Sequence, residues 1–326
     1  MRMVRLLGVV LAATLLASPA MAGLTLDVRL VGGGTAIAVT NPMGVVVPME
    51  LIATAGSGGS GDGISKFYAS FYSSNGGLIK GNMSLAFTPT NPLNNNLENI
   101  GGVPTPAVGA MADLDGDGDL DVGSTVSSVA TGWTLAKAPS GMYVPGPVNF
   151  ATLTFTGTGW NAADLHGVTE IWAVGRPGSN NHIWREDGVL KNGVPTTGTK
   201  VVLYRPAEAI VGASQYDLPE NGIVMLDGGL SLGTISTWAW QIFNGGAWLP
   251  LANGERPTLS YDLLTKPTEQ GGMGLEIGLY DIRLVTTSDY TTDIDGAQLN
   301  IVPEPTTMLM LALGSMVFMA RRRRAA

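Results

Sequence analysis

The alternation of apolar and polar residues is the feature that most restricts how this chain can fold. From Leu24 to Leu30 every second residue is apolar, and the same period recurs at Phe67 to Phe71, Met83 to Phe87 and Leu153 to Phe155. A period of two places successive side chains on opposite faces of a β-strand. Because no interior stretch keeps a helical period over three turns, the sequence predicts strands throughout the body.

Turn-forming clusters separate the predicted strands. Gly-rich and Asn-rich segments occur at Gly56 to Gly63, Asn75 to Gly77 and Asn94 to Asn96, in a chain with 45 Gly and 19 Pro. Glycine and proline at this frequency favour many short strands joined by turns over long helices. Further strands are predicted at Val45 to Val47, Ile171 to Val174 and Val201 to Leu203. The predicted fold class is all-β, built from β-sandwiches.

A second set of strands follows a predicted boundary at Arg205-Pro206. The polar span from Leu93 to Val108 is interpreted as a loop inside the first part, not as a linker. We therefore predict two β-sandwich domains, residues 23–205 and 206–302. The strands predicted for the second are Ile223 to Leu226, Thr237 to Ile242, Thr258 to Leu263, Tyr280 to Val285 and Gln298 to Val302.

The first 22 residues have the three parts of a secretory signal peptide. Arg2 and Arg5 precede an apolar run from Leu6 to Leu16, and Ala20 and Ala22 form an A-x-A cleavage site. The run is too short to span a bilayer, and a buried N-terminal helix fits poorly because the segment has no polar face. Residues 1–22 therefore predict export.

The C-terminal segment, residues 303–326, also has three parts. A Pro-Glu-Pro motif precedes an apolar stretch from Thr306 to Ala320 and a cluster of four Arg residues. The residues of this predicted sorting motif are Val302, Pro303, Glu304, Pro305, Arg321, Arg322, Arg323 and Arg324. The order of motif, apolar run and Arg cluster resembles the PEP-CTERM sorting signal of bacterial exosortase substrates.

That resemblance implies a transmembrane sorting helix, with the Arg cluster on the cytoplasmic side. It also implies an exosortase-type sorting protease as partner and an inner-membrane-anchored precursor. The mature protein would then reach the cell surface or extracellular matrix, in association with exopolysaccharide. A plain tail anchor is the alternative.

An aspartate-rich run from Asp113 to Ser124 is the one segment that carries chemistry. The five carboxylates have calcium-loop spacing, and Gly118 stands where an EF-hand loop turns sharply. The candidate ligands are Asp113, Asp115, Asp117, Asp119 and Asp121. The run resembles the loops of dockerin-like and FG-GAP-type exported proteins, although Ser124 replaces the bidentate Glu of an EF-hand. We predict a structural calcium site, with a solvated acidic turn as the alternative.

Both parts of the body resemble known β-sandwich families. The first resembles cohesin-like domains in Val47 to Leu51, Gly63 to Tyr72 and Asn149 to Phe155. The second is similar to PKD-like immunoglobulin folds, and it departs from them at Asn244-Gly245-Gly246, where a Gly-Asp-Gly turn is usual. The segments that carry the second resemblance are Val224 to Gly229, Trp238 to Phe243 and Gly278 to Val285. Both resemblances imply binding or spacing.

Charge and composition exclude several functions. Residues 23–302 hold 12 Lys and Arg against 25 Asp and Glu, a net charge of −13 that argues against nucleic acid as a partner. The chain has no Cys, which removes thiol catalysis. His166 and His182 lack metal-ligand spacing and are expected in loops or at the surface. Asp293 to Gly296 predicts a turn before the last strand.

The predicted function is non-enzymatic. No pair among the many carboxylates is singled out as a glycosidase pair, and no nucleophile has an evident base. We predict a structural or adhesive surface protein. The alternative is a carbohydrate-binding module, since the chain has seven Trp residues in addition to Tyr68 and Tyr72. Core packing is the competing interpretation for each Trp. The resemblance to PKD-like folds implies that Trp240 is a core residue and that Trp238 is buried beside it.

Overall fold

A computed structural model describes residues 23–303 except 57–59, 75–76, 89–92, 94–98, 101–102, 105–108, 126–132, 140, 162–165 and 179–181. The predicted signal peptide with its cleavage site, and the tail from Glu304 onward, lie outside the described residues. The described residues are almost entirely β-structure, with a short helix α1 (Tyr261–Thr265) and a 3₁₀ turn (Thr268–Gln270). The predicted all-β fold is confirmed. Within this part of the chain, no helix is long and apolar enough to cross a membrane.

The strands are numbered in chain order. Those before Arg205 are β1 (Leu24–Leu30), β2 (Ala36–Ala38), β3 (Val46–Ala55), β4 (Gly63–Ser73), β5 (Ile79–Phe87), β6 (Asn99–Ile100), β7 (Val103–Pro104), β8 (Met111–Ala112), β9 (Asp121–Val122), β10 (Thr134–Lys137), β11 (Val148–Trp160), β12 (Thr169–Gly175), β13 (Ile183–Glu186), β14 (Val189–Lys191), β15 (Thr196–Thr197) and β16 (Val201–Tyr204). Those after it are β17 (Gln215–Pro219), β18 (Ile223–Met225), β19 (Thr237–Asn244), β20 (Ala247–Asn253), β21 (Thr258–Ser260), β22 (Gly278–Thr287) and β23 (Thr292–Val302).

The first part of the chain forms two sheets around one apolar core. One sheet has the strand order β15-β1-β3-β11-β5, and the other has the order β14-β13-β4-β12-β16-β2, with β8, β9 and β10 on the β4 side. The core draws its side chains from both sheets, for example Leu26 and Phe155 from the first and Phe71 and Ile171 from the second. Burial of one face of each sheet is the physical consequence of the alternating sequence.

β1 shows both the success and the limit of the alternation. Its bounds are those predicted, and Leu24, Leu26 and Val28 are buried. Asp27, predicted on the polar face, is buried as well. Its carboxylate accepts hydrogen bonds from the Thr199 backbone N–H at 2.7 Å and from the Arg29 side chain at 3.0 Å, which satisfies the buried charge.

The second part packs a five-stranded sheet against a smaller layer. The sheet has the order β17-β23-β22-β19-β20, and the smaller layer contains the β18–β21 pair and α1. Trp240 and Leu284 from the sheet share a core with Leu226, Leu259 and Leu264 from the smaller layer. Trp240 is thus a core residue, as predicted.

The sequence prediction was wrong at the end of β21. A strand was expected from Thr258 to Leu263, but it ends at Ser260 and α1 follows. Ser260 is the N-cap of α1, and its side chain accepts the Leu263 N–H at 3.2 Å. This local hydrogen bond favours a helix start over a continued strand.

The turn predicted from Asp293 to Gly296 was also wrong, because these residues lie within β23. Their carboxylates hold the segment that enters the second part. Asp293 Oδ2 accepts the Ala209 N–H at 2.9 Å, and Asp295 Oδ2 accepts the Val211 N–H at 2.9 Å. Asp293 and Asp295, which were interpreted as part of a turn, thus accept hydrogen bonds from the backbone at the start of the second part.

The strand pairs of the described residues all join strands on the same side of Arg205-Pro206. Contacts that involve side chains connect the two parts. The rings of Tyr204 and Tyr290 stack with centroids 4.3 Å apart. His166 Nδ1 lies 2.9 Å from the Gly233 carbonyl oxygen, and the Thr234 hydroxyl donates to the Gly167 carbonyl at 2.8 Å.

Candidate functional site

The aspartate loop, residues 113–120, connects β8 to β9. These two strands pair with each other, and β9 also pairs with β4 through Val122 and Phe71. Gly116 and Gly118 have φ values of 86° and 94°, a left-handed conformation that glycine adopts without a Cβ penalty. The two glycines therefore allow the loop to fold back over a few residues.

Asp113 organises the backbone of the aspartate loop. Its Oδ1 accepts the N–H groups of Gly116 at 2.7 Å and Asp117 at 3.2 Å, and its Oδ2 accepts the Gly118 N–H at 3.1 Å. Three backbone donors on one carboxylate fix the curvature of the loop. The first predicted ligand thus shapes the loop as well as offering charge.

The carboxylates of Asp113, Asp115 and Asp117 converge. One oxygen from each residue lies within 4.8 Å of the others. Asp113 is exposed, and the other two side chains are half-buried. Carboxylate oxygens are the ligands that calcium prefers. The structure therefore brings together the first three of the five predicted ligands.

The carboxylates of Asp119 and Asp121 bind the two sheets of the first part. Asp119 Oδ2 accepts the Gly81 N–H of β5 at 2.8 Å. Asp121 Oδ1 accepts the Ser73 N–H of β4 at 2.9 Å, and its Oδ2 accepts the Leu114 N–H at 3.2 Å. Both aspartates are buried. Since β4 and β5 belong to different sheets, this pair forms a clip across the sandwich.

Burial and repulsion from neighbouring carboxylates raise the pKa values of Asp115, Asp119 and Asp121. Burial raises the pKa of Asp121 to about 6, although the Ser73 and Leu114 N–H groups oppose the shift, and the charges of Asp115 and Asp117 add to it. Burial is also the main cause of the raised pKa values of Asp119 and Asp115. Each shift means that the surroundings of the carboxyl group disfavour its charged form.

The residues present fit a calcium ion that has few ligands from the protein. Calcium takes six to eight oxygen ligands, so three carboxylates would leave several positions to water or backbone carbonyls. Ser124, at the position of the bidentate Glu in an EF-hand, is tied to β4 instead. Its N–H donates to Ser70 Oγ at 2.9 Å, and its carbonyl accepts from the Ser70 hydroxyl at 3.0 Å. This arrangement favours weak binding.

The two histidines differ in environment. His182 lies in the loop before β13, which is one of the two expected placements, and it is fully buried there. Its Nδ1 accepts the Tyr68 N–H at 3.4 Å, and its Nε2 lies 2.7 Å from the Arg176 carbonyl oxygen. These contacts hold a neutral imidazole in a structural role. His166 is partly buried at the junction between the two parts.

The seven tryptophans divide between core and surface. Trp133, Trp184 and Trp240 are buried. Each of the four partly exposed rings has a neighbour against it: Arg205 lies 5.1 Å from Trp160, Tyr72 stacks 5.9 Å from Trp172, His166 contacts Trp238 at 5.3 Å, and Arg283 lies 4.2 Å from Trp248. Trp238 was expected to be buried, but it is half-buried and packs against the core that holds Trp240.

A groove on the outer face of the five-stranded sheet was missed in the sequence. Its volume is about 500 Å³, and Gly296 leaves its floor without a side chain. Trp248, Asp281, Arg283 and Gln298 line it. Alternation along β22 and β23 was the available signal, because Asp281 pairs with Gln298 and Arg283 with Gly296 on one face.

Residues 302–324 match the family model described as the PEP-CTERM protein-sorting motif. The match confirms the predicted sorting signal. It indicates an exported protein whose precursor is anchored in the membrane. Because the match spans the tail, it leaves the family of the body open. No curated protein matches the chain in sequence.

Solved structures that are similar to the chain include immunoglobulin and fibronectin modules. They include a Dscam structure (9% identity, TM-score 0.30, 84% of this chain and 46% of that chain), fibronectin(III)-like modules of CbhA from Clostridium thermocellum (12%, 0.24, 86% and 94%) and the titin Ig tandem A164-A165 (11%, 0.27, 87% and 100%). The chain thus spans less than half of the Dscam structure. At these TM-scores the similarity is general, and the all-β fold is established by the sheets themselves.

Proposed function

We propose that the chain is an exported, non-enzymatic protein of the cell surface or extracellular matrix, with a structural or adhesive role. The observation that supports this most directly is the sorting-motif match at residues 302–324, which begins at the last residue of β23. An exosortase-type protease would process the anchored precursor and release the body outward, where exopolysaccharide is the expected surrounding.

Cell fractionation tests this proposal. The full chain is expressed in a host that has an exosortase-type protease, next to a variant in which Pro303, Glu304 and Pro305 are replaced by Ala. We expect a shortened product at the surface from the parent and an unprocessed membrane form from the variant. Retention of both proteins in the cytoplasm would overturn export, and identical processing would overturn the role of the motif.

Calcium is proposed as a structural ligand of the aspartate loop. Asp113, Asp115 and Asp117 would hold the ion, and its charge would oppose the burial and the repulsion from Asp117 that raise the pKa of Asp115. Two carboxylates about 4 Å apart repel by about 1 kcal/mol in water and about 4 kcal/mol at an effective dielectric of 20. With so few protein ligands, we expect a Kd of about 10⁻⁴ to 10⁻³ M.

Calorimetric titration with calcium tests the site. The parent protein should show saturable heat, and Asp115→Ala and Asp117→Ala should each remove it. Asp281→Ala, an exposed carboxylate outside the loop, is the matched control and should bind as the parent does. Equal heats in all four proteins would assign the binding to other acidic residues. Absence of heat in the parent would overturn the site.

Carbohydrate binding is the second candidate function, and the groove at Trp248 is the observation that favours it. Sugar recognition combines an aromatic surface with polar groups that bind hydroxyls. The groove supplies Asp281, Arg283 and Gln298 beside Trp248. Because Arg283 already covers one side of the Trp248 ring, a sugar would contact the remaining ring surface and the charged groups.

Gel retardation against polysaccharides separates this candidate from a purely structural role. A polymer that binds in the groove should retard the parent and Trp172→Ala but not Trp248→Ala. Trp172 is a suitable control because it is also partly exposed but lies on β12 in the first part. Equal retardation of both variants would exclude the groove as the binding site.

A further inference from the structure

The folded body ends very close to the start of the apolar tail. β23 continues to Val302, which pairs with Pro219 and whose carbonyl accepts the Glu220 N–H at 3.1 Å. The apolar stretch begins at Thr306, so Pro303 to Pro305 form the whole connection. Three extended residues span at most about 11 Å.

This length is comparable to the thickness of a lipid headgroup layer. A bilayer is about 40–45 Å thick with a hydrocarbon core of about 30 Å, so each headgroup layer is about 5–8 Å thick. If the apolar stretch enters the hydrocarbon core, the end of β23 lies within a few ångströms of the headgroups. In that arrangement the three-residue connection would bring one end of the second part to the membrane surface.

The elements at this end follow from the strand pairing. Ile301 pairs with Gly278, so β22 begins there, and β19 ends there because it is antiparallel to β22. β18 begins three residues after Glu220 and pairs with the end of β21, which leads into α1. We name this end the tail-exit surface.

The tail-exit surface carries exposed apolar side chains from each of these elements. They are Ile223 (70% exposed), Phe243 (40%), Leu263 (43%), Ile277 (54%) and Leu279 (55%). Scattered apolar residues are common on protein surfaces, but these five lie on the elements around the exit point of an apolar tail, where contact with a membrane would bury them.

Ordered turns hold these side chains in place. The Tyr280 hydroxyl accepts the Glu276 N–H and donates to the Glu276 carbonyl, both at 3.0 Å, which fixes the segment that presents Ile277. The Tyr261 N–H donates to the Gly222 carbonyl at 3.0 Å, beside Ile223. The apolar side chains are thus presented by a fixed backbone.

The opposite end of the second part has a different role. There the turn between β22 and β23 carries Tyr290, which stacks on Tyr204 of the first part. The second part therefore has one end at the junction and the other at the tail. Lipid contact at the tail-exit surface would therefore leave the junction free of the membrane.

We propose that the tail-exit surface rests on the lipid surface while the tail is inserted, with Ile223, Ile277 and Leu279 in the headgroup layer. The proposal depends on the membrane-anchored precursor proposed above. Around this end the acidic residues Glu220, Asp262 and Glu276 outnumber Lys266, which is paired with Asp262, so attraction to anionic lipid does not drive the contact. Contact is driven by burial of apolar surface, and it is insensitive to salt and occurs on zwitterionic lipid.

Site-specific fluorescence tests the proposal on the full chain. Because the chain has no Cys, Ile277→Cys provides a single labelling site, and Asp289→Cys provides an exposed control at the opposite end. Each protein is labelled with an environment-sensitive dye and reconstituted into phosphatidylcholine vesicles that contain a headgroup-level quencher lipid. We expect a blue shift and strong quenching at position 277 and neither at position 289.

The outcomes separate the anchor from the surface. If the labelled chain does not float with the vesicles, both the anchor and the lipid contact are overturned. If it floats but the two positions are quenched equally, the anchor stands and the contact is overturned. A blue shift at position 277 that disappears when the protein is diluted into excess lipid would assign the surface to a second copy of the chain. A blue shift that requires added sorting protease would assign the surface to the protease.

A triple variant provides a second readout. Ile223→Ser, Ile277→Ser and Leu279→Ser together should weaken quenching of a dye at Glu276→Cys, whereas Val31→Ser and Val46→Ser, exposed apolar residues of the first part, should not. An unchanged signal in the triple variant would overturn the proposal. Matching thermal transitions of the variants confirm that the fold is retained.

Discussion

Replacing His182 should remove a specific part of the pH dependence of stability. His182 is fully buried between the Tyr68 N–H and the Arg176 carbonyl. Burial, together with the nearby charges of Arg176 and Lys66, lowers its pKa from 6.5 to about 4. The unfolded chain therefore binds a proton at this residue at a higher pH than the folded chain does.

The sign and size of the effect follow from proton linkage. Because the pKa of His182 is lower in the folded chain than in the unfolded chain, this residue contributes to the free energy of unfolding. The contribution is fully present above the unfolded pKa of 6.5 and is lost as the pH falls towards the folded pKa of about 4. A difference of about 2.5 units corresponds to about 3 kcal/mol. The raised pKa of Asp121 acts with the opposite sign over a similar range, so the parent curve alone does not isolate His182.

A comparison with His182→Gln isolates the contribution. The Gln amide keeps a donor for the Arg176 carbonyl and does not titrate. Urea unfolding is measured between about pH 4 and pH 7, without calcium, and the variant free energy is subtracted from that of the parent. We expect this difference to grow by about 3 kcal/mol as the pH rises. Parallel curves for the parent and His182→Gln would refute the reasoning.

Three further changes test other parts of the structure. Calcium at ten to one hundred times its Kd should stabilise the parent by about 1.4–2.7 kcal/mol and raise its Tm by roughly 3–10 °C in a thermal scan. Asp115→Asn should abolish this shift, and an unchanged parent Tm would contradict the calcium site. Gly123→Ala should cost about 1–3 kcal/mol in chemical unfolding, because its Cβ would collide with Ser70 at a φ of 136°, and a neutral result would contradict the packing. Asp295→Ala should cost about 1 kcal/mol by the same assay, whereas the exposed Asp281→Ala should change stability by less than about 0.5 kcal/mol.

Strands with strong alternation could be predicted from the sequence, because their pattern is local. β1 has the predicted bounds, and β12 and β16 lie where apolar runs predicted them. Short strands such as β10 and β15 were missed. Each is defined by partners far away in the chain, β4 for the former and β1 for the latter, and so has no local signature.

Local signals failed where a side chain binds a distant backbone. Asp293 and Asp295 have the composition of a turn, yet they lie in β23 because their carboxylates accept N–H groups from a segment more than 80 residues earlier. Asp27 is similar, since its partner Thr199 lies far along the chain. These partners lie outside the few residues over which a strand period or a turn motif is recognised.

The aspartate loop was recognisable because its chemistry is concentrated in one segment. The spacing identified Asp113, Asp115 and Asp117, which converge. The different roles of Asp119 and Asp121 were not visible, since they depend on the positions of β4 and β5. The groove at Trp248 was missed for a related reason, because its lining comes from three strands.

The two halves of the aspartate run together explain how an ion in a surface loop would affect a whole domain. Asp119 holds β5 of one sheet and Asp121 holds β4 of the other, so the segment after the loop joins both layers of the sandwich. The layers must separate when the domain unfolds. An ion on the three converging carboxylates would fix the loop that connects to this clip at Leu114 and Asp119, and would therefore resist separation of the sheets as well as fraying of the loop. With calcium bound as proposed, that coupling would make the calcium concentration outside the cell a determinant of the stability of the first part.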